Sequence, residues 1–239
     1  MFYQATLPLL PVTLPVDRPE APSRNTADLV RHLRKAAVNG WPIVLGTEAD
    51  PYQPNERHPG ITRPFLEAFS KVEGLELSIT TRSPHILRDL ELLTELDRRH
   101  AVTITVPIPA VDLPVARRLE PAGCPDPQVR FRTVRQLTAA GLATRILCTP
   151  IEAGINNGES VLRPLFEEAR EAGAFDVLAH PQPPRPAPPL FNRLSPLYLS
   201  LLSRKEDPRS PEQQSPLLLH NFRRLRLEYG FPLGVAGRG

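Results

Sequence analysis

Residues 102–106 are Val-Thr-Ile-Thr-Val, five β-branched side chains in a row without a charge. Such residues favour extended backbone, and a short uncharged run is typical of a buried strand. Four similar, mostly apolar runs flank it at residues 43–46, 75–80, 144–148 and 176–180. The sequence therefore predicts five mostly buried strands.

Helix-length segments separate these runs, with apolar residues at helical spacing such as Leu29, Leu33 and Ala36. Strand starts recur about every 33 residues, the size of one βα unit. Strands joined by helices pair in parallel, and right-handed connections give either a doubly wound sheet or a barrel. Residues that favour helix boundaries support this alternation: Thr26, Ser83 followed by Pro84, and Gly40, Gly141 and Gly173.

The composition excludes several classes of protein. The chain has 239 residues, of which 41% are hydrophobic and 23% charged, so we expect a folded protein rather than a disordered one. Its longest apolar segments are too short or too proline-rich for a membrane span or a signal peptide. Two cysteines indicate no disulfide framework, and we expect a cytoplasmic protein. A net charge of +3 permits nucleic-acid binding without indicating it.

Proline placement divides the chain into three regions. Residues 1–25 are proline-rich, and we expect them to be irregular or to form at most a short edge strand. Residues 26–180 hold the strand and helix alternation. Residues 181–239 begin with six prolines in nine residues, after which the polar run 204–215 predicts a loop. Residues 217–229 predict an amphipathic helix with solvated arginines, closed by Gly230.

Polar residues follow each predicted strand. In parallel αβ folds the ligand lies at the carboxyl ends of the strands, so these positions are the candidate site. After the first run comes Gly-Thr-Glu-Ala-Asp at residues 46–50, and after the second comes Thr-Arg-Ser at residues 81–83. The fourth run is followed by Thr-Pro-Ile-Glu-Ala-Gly-Ile-Asn at residues 149–156, and the fifth ends at His180.

These strand-end segments form a series of motifs that resembles a known family. The motifs are Gly-Thr-x-x-Asp-Pro-Tyr-Gln-Pro-x-Glu at 46–56, Thr-x-Ser at 81–83, Leu-Arg-Asp-Leu-Glu-Leu-Leu at 87–93, Arg-Arg-Leu-Glu-Pro at 117–121 and Pro-Ile-x-x-Gly-Ile-Asn at 150–156. Their order and spacing resemble those of radical S-adenosylmethionine proteins of the spore photoproduct lyase type. The resemblance covers about residues 26–175.

The resemblance implies a partial (βα)6 barrel of radical S-adenosylmethionine type whose first βα unit is missing or degenerate here. It implies that S-adenosylmethionine lies across the strand ends. Gly46, Thr47 and Glu48 then receive the methionine amino group, with Asp50 in the same segment. Ser83 lies near the methionine carboxylate, after Arg82, where the family usually has lysine. Pro150 to Asn156 lie against the adenine, and Glu120 belongs to a signature whose role we leave unassigned.

The cysteine content departs from this family. The family holds a [4Fe-4S] cluster with three thiolates in the pattern C-x3-C-x2-C, leaving one iron open for the cofactor. Residues 1–25 contain no cysteine, and we expect Cys148 to be a core residue and Cys124 a loop residue. We therefore predict that this chain holds no cluster, has no other metal ligands, binds S-adenosylmethionine weakly or not at all, and is inactive alone.

Two other functions remain open. One is a metal-dependent barrel hydrolase or lyase that uses Glu48, Asp50 and His180 as ligands. The other is a non-catalytic remnant that binds a small molecule or a protein partner. The sequence does not identify a substrate, because the substrate depends on the surface beside the cofactor. A barrel without its first strand also leaves an open edge beside residues 43–46, which predicts marginal stability or self-association.

Overall fold

The computed structural model describes residues 26–46, 50–53, 62–152, 154–179 and 211–232. Helices and strands alternate along most of this part of the chain. The helices are α1 (Thr26–Asn39), α2 (Thr62–Phe69), α3 (Leu90–Asp97), α4 (Leu113–Leu119), α5 (Pro127–Ala139), α6 (Glu159–Glu171) and α7 (Pro211–Glu228), with a 3-10 helix at Pro84–Asp89. The strands are β1 (Ile43–Leu45), β2 (Glu76–Thr80), β3 (Ala101–Pro107), β4 (Ala143–Cys148) and β5 (Asp176–Ala179).

The five strands form one parallel sheet in the order β1-β2-β3-β4-β5. Each strand pairs with the next one in sequence, so the order never reverses as it does in a doubly wound sheet. Right-handed crossovers between sequential neighbours place the connecting helices on one face, which is the arrangement of a barrel wall. The α/β partial barrel expected from the sequence is confirmed, and the doubly wound alternative is wrong.

The strands lie where their β-branched runs predicted, with ends shifted by one residue at most. Ile79, Ile104, Ile146 and Val177 are fully buried, one on each of four adjacent strands. Their side chains pack with those of the helices into one continuous core. The fold is therefore set mainly by burial of these runs, since burying each such side chain stabilises the protein by about 1.5–3 kcal/mol.

The predicted helix boundaries are also largely confirmed. Gly40, Gly141 and Gly173 follow their helices with positive φ, as expected for C′ glycines. Ser83 is an N-cap whose side chain accepts a hydrogen bond from the His85 backbone N–H, but the turn that follows is a 3-10 helix before α3 begins at Leu90.

The C-terminal helix departs from the prediction. It begins at Pro211, so the loop predicted over residues 204–215 is wrong for its last five positions. Phe222 packs edge-on against Phe166 of α6 with ring centroids 5.2 Å apart, and Arg226 pairs with the buried Asp176 at 2.9 Å. Docking on α6 and β5 stabilises a helix that polar residues alone do not specify.

Several predictions concern segments outside the described residues, namely 1–25, 47–49, 180 and 181–210. Within the described sheet, β1 pairs with β2 alone, so its other edge has no strand from that part of the chain. None of the helices described here is long and apolar enough to cross a membrane.

Candidate functional site at the carboxyl edge of the sheet

The carboxyl ends of the strands form one continuous edge. Backbone pairing carries on past the strand ends, because the Thr81 N–H donates to the Thr105 carbonyl at 3.1 Å and the Ile108 N–H donates to the Leu147 carbonyl at 2.9 Å. The loops that follow β2, β3 and β4 therefore leave the sheet side by side. Site residues that lie far apart in sequence are brought to the same edge.

Gly46 directly follows β1, at a point where a side chain does not fit. Its φ is +89°, and a Cβ there would lie 2.0 Å from the Thr80 carbonyl oxygen. A clash with backbone cannot be relieved by rotating a side chain, so the end of β1 reaches β2 only because this residue is glycine. Backbone packing therefore requires glycine at position 46, and the predicted contact of Gly46 with the cofactor stays a prediction.

Asp50 joins the loop after β1 to the end of β2. One carboxylate oxygen accepts from the Thr81 hydroxyl at 2.5 Å and from the Tyr52 N–H at 2.9 Å. The other oxygen accepts from the Arg82 N–H at 2.7 Å. Both oxygens are thus engaged inside the protein, which makes Asp50 a residue that holds the site together.

Ser83 is also engaged internally. It is buried, its N–H donates to the Thr81 hydroxyl at 3.0 Å, and its own hydroxyl accepts from the His85 N–H at 3.2 Å. The Ser83 hydroxyl therefore caps the 3-10 helix. Within this strand end, the side chain of Arg82 is the charged group that extends toward solvent, with 35% of it exposed.

A buried ion cluster lies beside Arg82. Arg130 of α5 donates two hydrogen bonds to Glu120, at 2.7 and 2.5 Å, and a third to the Pro107 carbonyl at 2.6 Å. The Arg82 Nε donates to the same Glu120 carboxylate at 3.2 Å. Only 3% of the Glu120 side chain and 1% of the Arg130 side chain are exposed. The cluster therefore joins the ends of β2 and β3 through two guanidiniums and one carboxylate.

The sequence alone does not predict this cluster. Glu120 belongs to a signature without an assigned role, and no pattern in the sequence distinguishes Arg130. The cluster's sequence signal is the pair of a glutamate before a proline and an arginine ten residues later in a predicted helix. The spacing alone does not predict a contact, because Arg130 reaches Glu120 only when α5 packs beside the end of β3.

Asn156 holds the loops after β3 and β4 together. Its side-chain amide donates to the carbonyls of Pro109 and Pro150, both at 2.9 Å, and its side-chain oxygen accepts from the Glu152 N–H at 2.8 Å. Asn156 is fully buried. The predicted site residues Pro150 and Asn156 thus contact each other, and Asn156 contributes by fixing loop shape.

Both cysteines lie in surroundings that favour the thiol over the thiolate. Cys148 is buried in β4 and its sulfur lies 3.6 Å from the Pro109 carbonyl; burial raises its pKa to about 12. Cys124 lies in the loop between α4 and α5, where burial and the nearby Glu120 raise the pKa of its thiol. The predictions of a core and a loop residue are confirmed, and thiolates are the form that metals bind.

The other metal hypothesis gains no support at this edge. Glu48 and His180 lie outside the described residues, as does Thr47. Asp50, the third member of that trio, already uses both carboxylate oxygens. No group of three or more histidine, cysteine, aspartate or glutamate side chains is placed to hold a metal ion among the residues with described positions.

The site residues fall into two contacting groups. Gly46, Asp50 and Ser83 are brought together through Thr80, Thr81 and Arg82. Pro150 and Asn156 form the second group with Pro109. The Glu120 cluster contacts Arg82 of the first group and Pro107 at the end of β3, so it lies between the loops that carry both groups.

Known proteins share parts of this chain's sequence. No protein-family profile matches it. It is 30% identical over 154 residues to uncharacterized proteins of Mycobacterium bovis (strain ATCC BAA-935 / AF2122/97) and Mycobacterium tuberculosis (strain ATCC 25618 / H37Rv). The match covers 64% of this chain and 45% of each relative. The chain thus spans less than half the length of the curated relatives it matches.

Solved structures share its fold. The chain is similar to Streptococcus suis SuiB bound to S-adenosylmethionine, with a TM-score of 0.51 and 18% identity over 71% of this chain and 37% of SuiB. It is also similar to a cysteine-to-serine mutant of spore photoproduct lyase, with a TM-score of 0.52 and 12% identity over 65% of this chain and 45% of the lyase. The chain therefore shares its fold with these two proteins over about two thirds of its length.

Proposed function

We propose that this chain forms the S-adenosylmethionine-binding edge of a radical S-adenosylmethionine-type site, for a substrate whose class stays open. The observation that carries the proposal is the joined end of β1 and β2, where Gly46 packs against Thr80 and Asp50 accepts a hydrogen bond from the Arg82 backbone N–H. In this fold class the ligand lies at that edge. The SuiB neighbour of the same fold is bound to S-adenosylmethionine.

The chemistry of Arg82 suits one end of this ligand. S-adenosylmethionine carries a carboxylate, and a guanidinium binds carboxylates through paired, charge-assisted hydrogen bonds. The neighbouring Ser83 and Asp50 are engaged inside the protein. Arg82 is therefore the group of this strand end that we assign to the ligand carboxylate, with Ser83 and Asp50 fixing its backbone.

The residues present do not fit a [4Fe-4S] cluster of the family pattern. That cluster needs three thiolates, and the chain has two cysteines, of which Cys148 is fully buried. The proposal is therefore limited to binding, and we derive no radical step for this chain. Without an open iron to chelate the amino and carboxylate groups, each remaining hydrogen bond contributes only about 1 kcal/mol net. We expect millimolar-range affinity.

A titration followed by NMR tests the proposal, since it detects weak binding. S-adenosylmethionine should shift the amide resonances of Thr81, Arg82 and Ser83 and leave those of the opposite end of the sheet in place. Arg82→Gln should weaken binding, while Arg132→Gln, which replaces an exposed arginine on α5, should not. The absence of any saturable shift at the carboxyl edge would overturn the proposal and favour a remnant with another ligand.

Iron content tests the cluster part separately. After anaerobic reconstitution with iron and sulfide, the chain should retain no stable cluster. About four irons per chain, with the charge-transfer absorbance of a bound cluster, would show that this part is wrong.

A further inference from the structure

We infer that Glu120 is a positioning residue that holds the Arg82 guanidinium ready for the ligand carboxylate, while Arg130 keeps Glu120 in place. The inference rests on the proposed function, because it concerns how the same edge binds its ligand. It assigns a role to a glutamate that does not itself contact the ligand.

Burial shows that Glu120 acts through other residues. Its carboxylate lies between two guanidiniums, and 3% of its side chain is exposed. Both of its oxygens accept hydrogen bonds from Arg130, which leaves no open face for a ligand. A group that cannot be reached from solvent can influence binding only through what it holds.

Arg130 anchors the cluster from the core side. Its Nη1 also donates to the Pro107 carbonyl at the end of β3, and 1% of its side chain is exposed. Bidentate arginine–carboxylate pairs fix both partners in direction as well as distance. Glu120 is therefore fixed relative to the sheet edge, and its position does not depend on Arg82.

The contact to Arg82 uses the nitrogen nearest its aliphatic stem. Nε donates to Glu120 at 3.2 Å, and the Arg82 backbone N–H donates to Asp50 at 2.7 Å. Within the described residues, the two Nη nitrogens of Arg82 have no hydrogen-bond partner. Glu120 thus fixes the side chain by its Nε and leaves the two Nη donors available to bind a ligand.

Fixing an arginine in advance strengthens binding. A free arginine side chain has many rotamers, and ordering it on binding weakens affinity. With Glu120 in place, part of that entropy is already lost before the ligand arrives. Removal of Glu120 should therefore weaken binding of the ligand's carboxylate end while every atom that contacts the ligand is still present.

The test compares two ligands and three variants of the 239-residue chain. The ligands are S-adenosylmethionine and 5′-methylthioadenosine, which lacks the amino and carboxylate groups. Glu120→Gln should weaken S-adenosylmethionine binding by about tenfold, or about 1.4 kcal/mol, and leave methylthioadenosine affinity unchanged. In an Arg82→Gln background, Glu120→Gln should cause no further loss, because the two residues act as one unit.

A further variant guards against misfolding. Glu120→Gln leaves the buried Arg130 without its counter-ion, so a double variant, Glu120→Leu with Arg130→Met, removes the buried charge together with the carboxylate. It should give the same selective loss for S-adenosylmethionine. An equal loss for both ligands in these variants would overturn the inference, because it would indicate a general structural role.

A measurement without ligand separates this inference from the proposed function. The Arg82 Nε–H should give a resolved, slowly exchanging NMR signal in the wild type and should lose it in both Glu120 variants. If S-adenosylmethionine does not bind the wild type, the proposed function fails, and this signal alone then decides whether Glu120 positions Arg82. A signal that is unchanged by the Glu120 substitutions would overturn the positioning role.

Discussion

Two clusters of glutamates and arginines in the described part of this protein differ in burial. At the carboxyl edge, Glu120 lies with Arg130 and Arg82 in a cluster whose core pair is 3% and 1% exposed. Between α6 and α7, Glu159 and Glu228 pair with Arg163 and Arg224, and these four side chains are 33–43% exposed. Glutamate–arginine ion pairs are thus buried at the carboxyl edge and exposed to solvent between α6 and α7.

The difference in burial predicts a difference in consequence. Water screens the exposed cluster, so its ion pairs add little to stability although hydrogen bonds from Arg224 and Arg163 lower the pKa of Glu159 to about 2. In the buried cluster, loss of one partner leaves a charge without solvent or counter-ion. Burial, rather than the number of ion pairs, should decide which cluster the fold depends on.

The largest expected effect comes from Glu120→Ala. It leaves Arg130 as an unpaired buried cation, which should lower the free energy of unfolding by about 3–5 kcal/mol. Urea denaturation followed by circular dichroism measures this change. The double variant Glu120→Leu with Arg130→Met serves as control and should recover most of the loss. Equal stability of Glu120→Ala and wild type would show that burial does not separate the clusters.

Backbone fit at the same edge gives the next largest effect. Gly46→Ala places a Cβ 2.0 Å from the Thr80 carbonyl at positive φ, which should cost about 2–3 kcal/mol. Gly40→Ala is the matched control, because Gly40 also has positive φ but open space around it. The control should cost only about 1 kcal/mol. Equal denaturation midpoints for the two variants would show that the close approach of Gly46 to Thr80 does not affect stability.

The pH dependence of stability extends the comparison to His100, a buried neutral side chain. The Nδ1 of His100 accepts from the Leu75 N–H, and its Nε2 faces the Phe69 carbonyl, both at 3.2 Å. Burial lowers the pKa of His100 below its ordinary 6.5, although its hydrogen bond to the Phe69 carbonyl acts in the opposite direction. Since the unfolded chain then binds the proton more readily, stability from His100 is complete above pH 6.5 and decreases as the pH falls toward its folded pKa.

A variant isolates this contribution. The difference in free energy of unfolding between wild type and His100→Gln should shrink as the pH falls below 6.5, measured by urea denaturation at a series of pH values. A difference that stays constant from neutral pH downward would contradict the assignment of a buried, neutral imidazole.

The smallest effect should come from Glu159→Gln in the exposed cluster. We expect a slight decrease in melting temperature that disappears at high salt. Because the folded pKa of Glu159 is about 2 and its ordinary value is 4.5, any contribution is complete above about pH 4.5 and is lost as the pH falls to about 2. Calorimetry measures this change. A decrease in melting temperature as large as that of Glu120→Ala would show that the exposed cluster stabilises the fold as much as the buried one.

The sequence predicted the scaffold of the site better than the site itself. The run at residues 102–106 specifies a strand because β-branched side chains suit a buried sheet, and Gly141 marks a helix end because glycine accepts positive φ at low cost. Asp50 was predicted as a cofactor-binding residue from the resemblance. Its hydrogen bonds to Thr81 and Arg82 depend on the pairing of β1 with β2, which local sequence does not specify.

By itself, the sequence determined the strands, their parallel alternation with helices and the lack of three cluster thiolates, because these depend on residue type and short spacing. Tertiary structure alone decided which polar groups are engaged inside the protein. Asn156 reaches the carbonyl of Pro109 across 47 residues, and Glu120 meets Arg82 across 38. Such contacts depend on the relative placement of packed elements, since hydrogen bonds act only over about 3 Å.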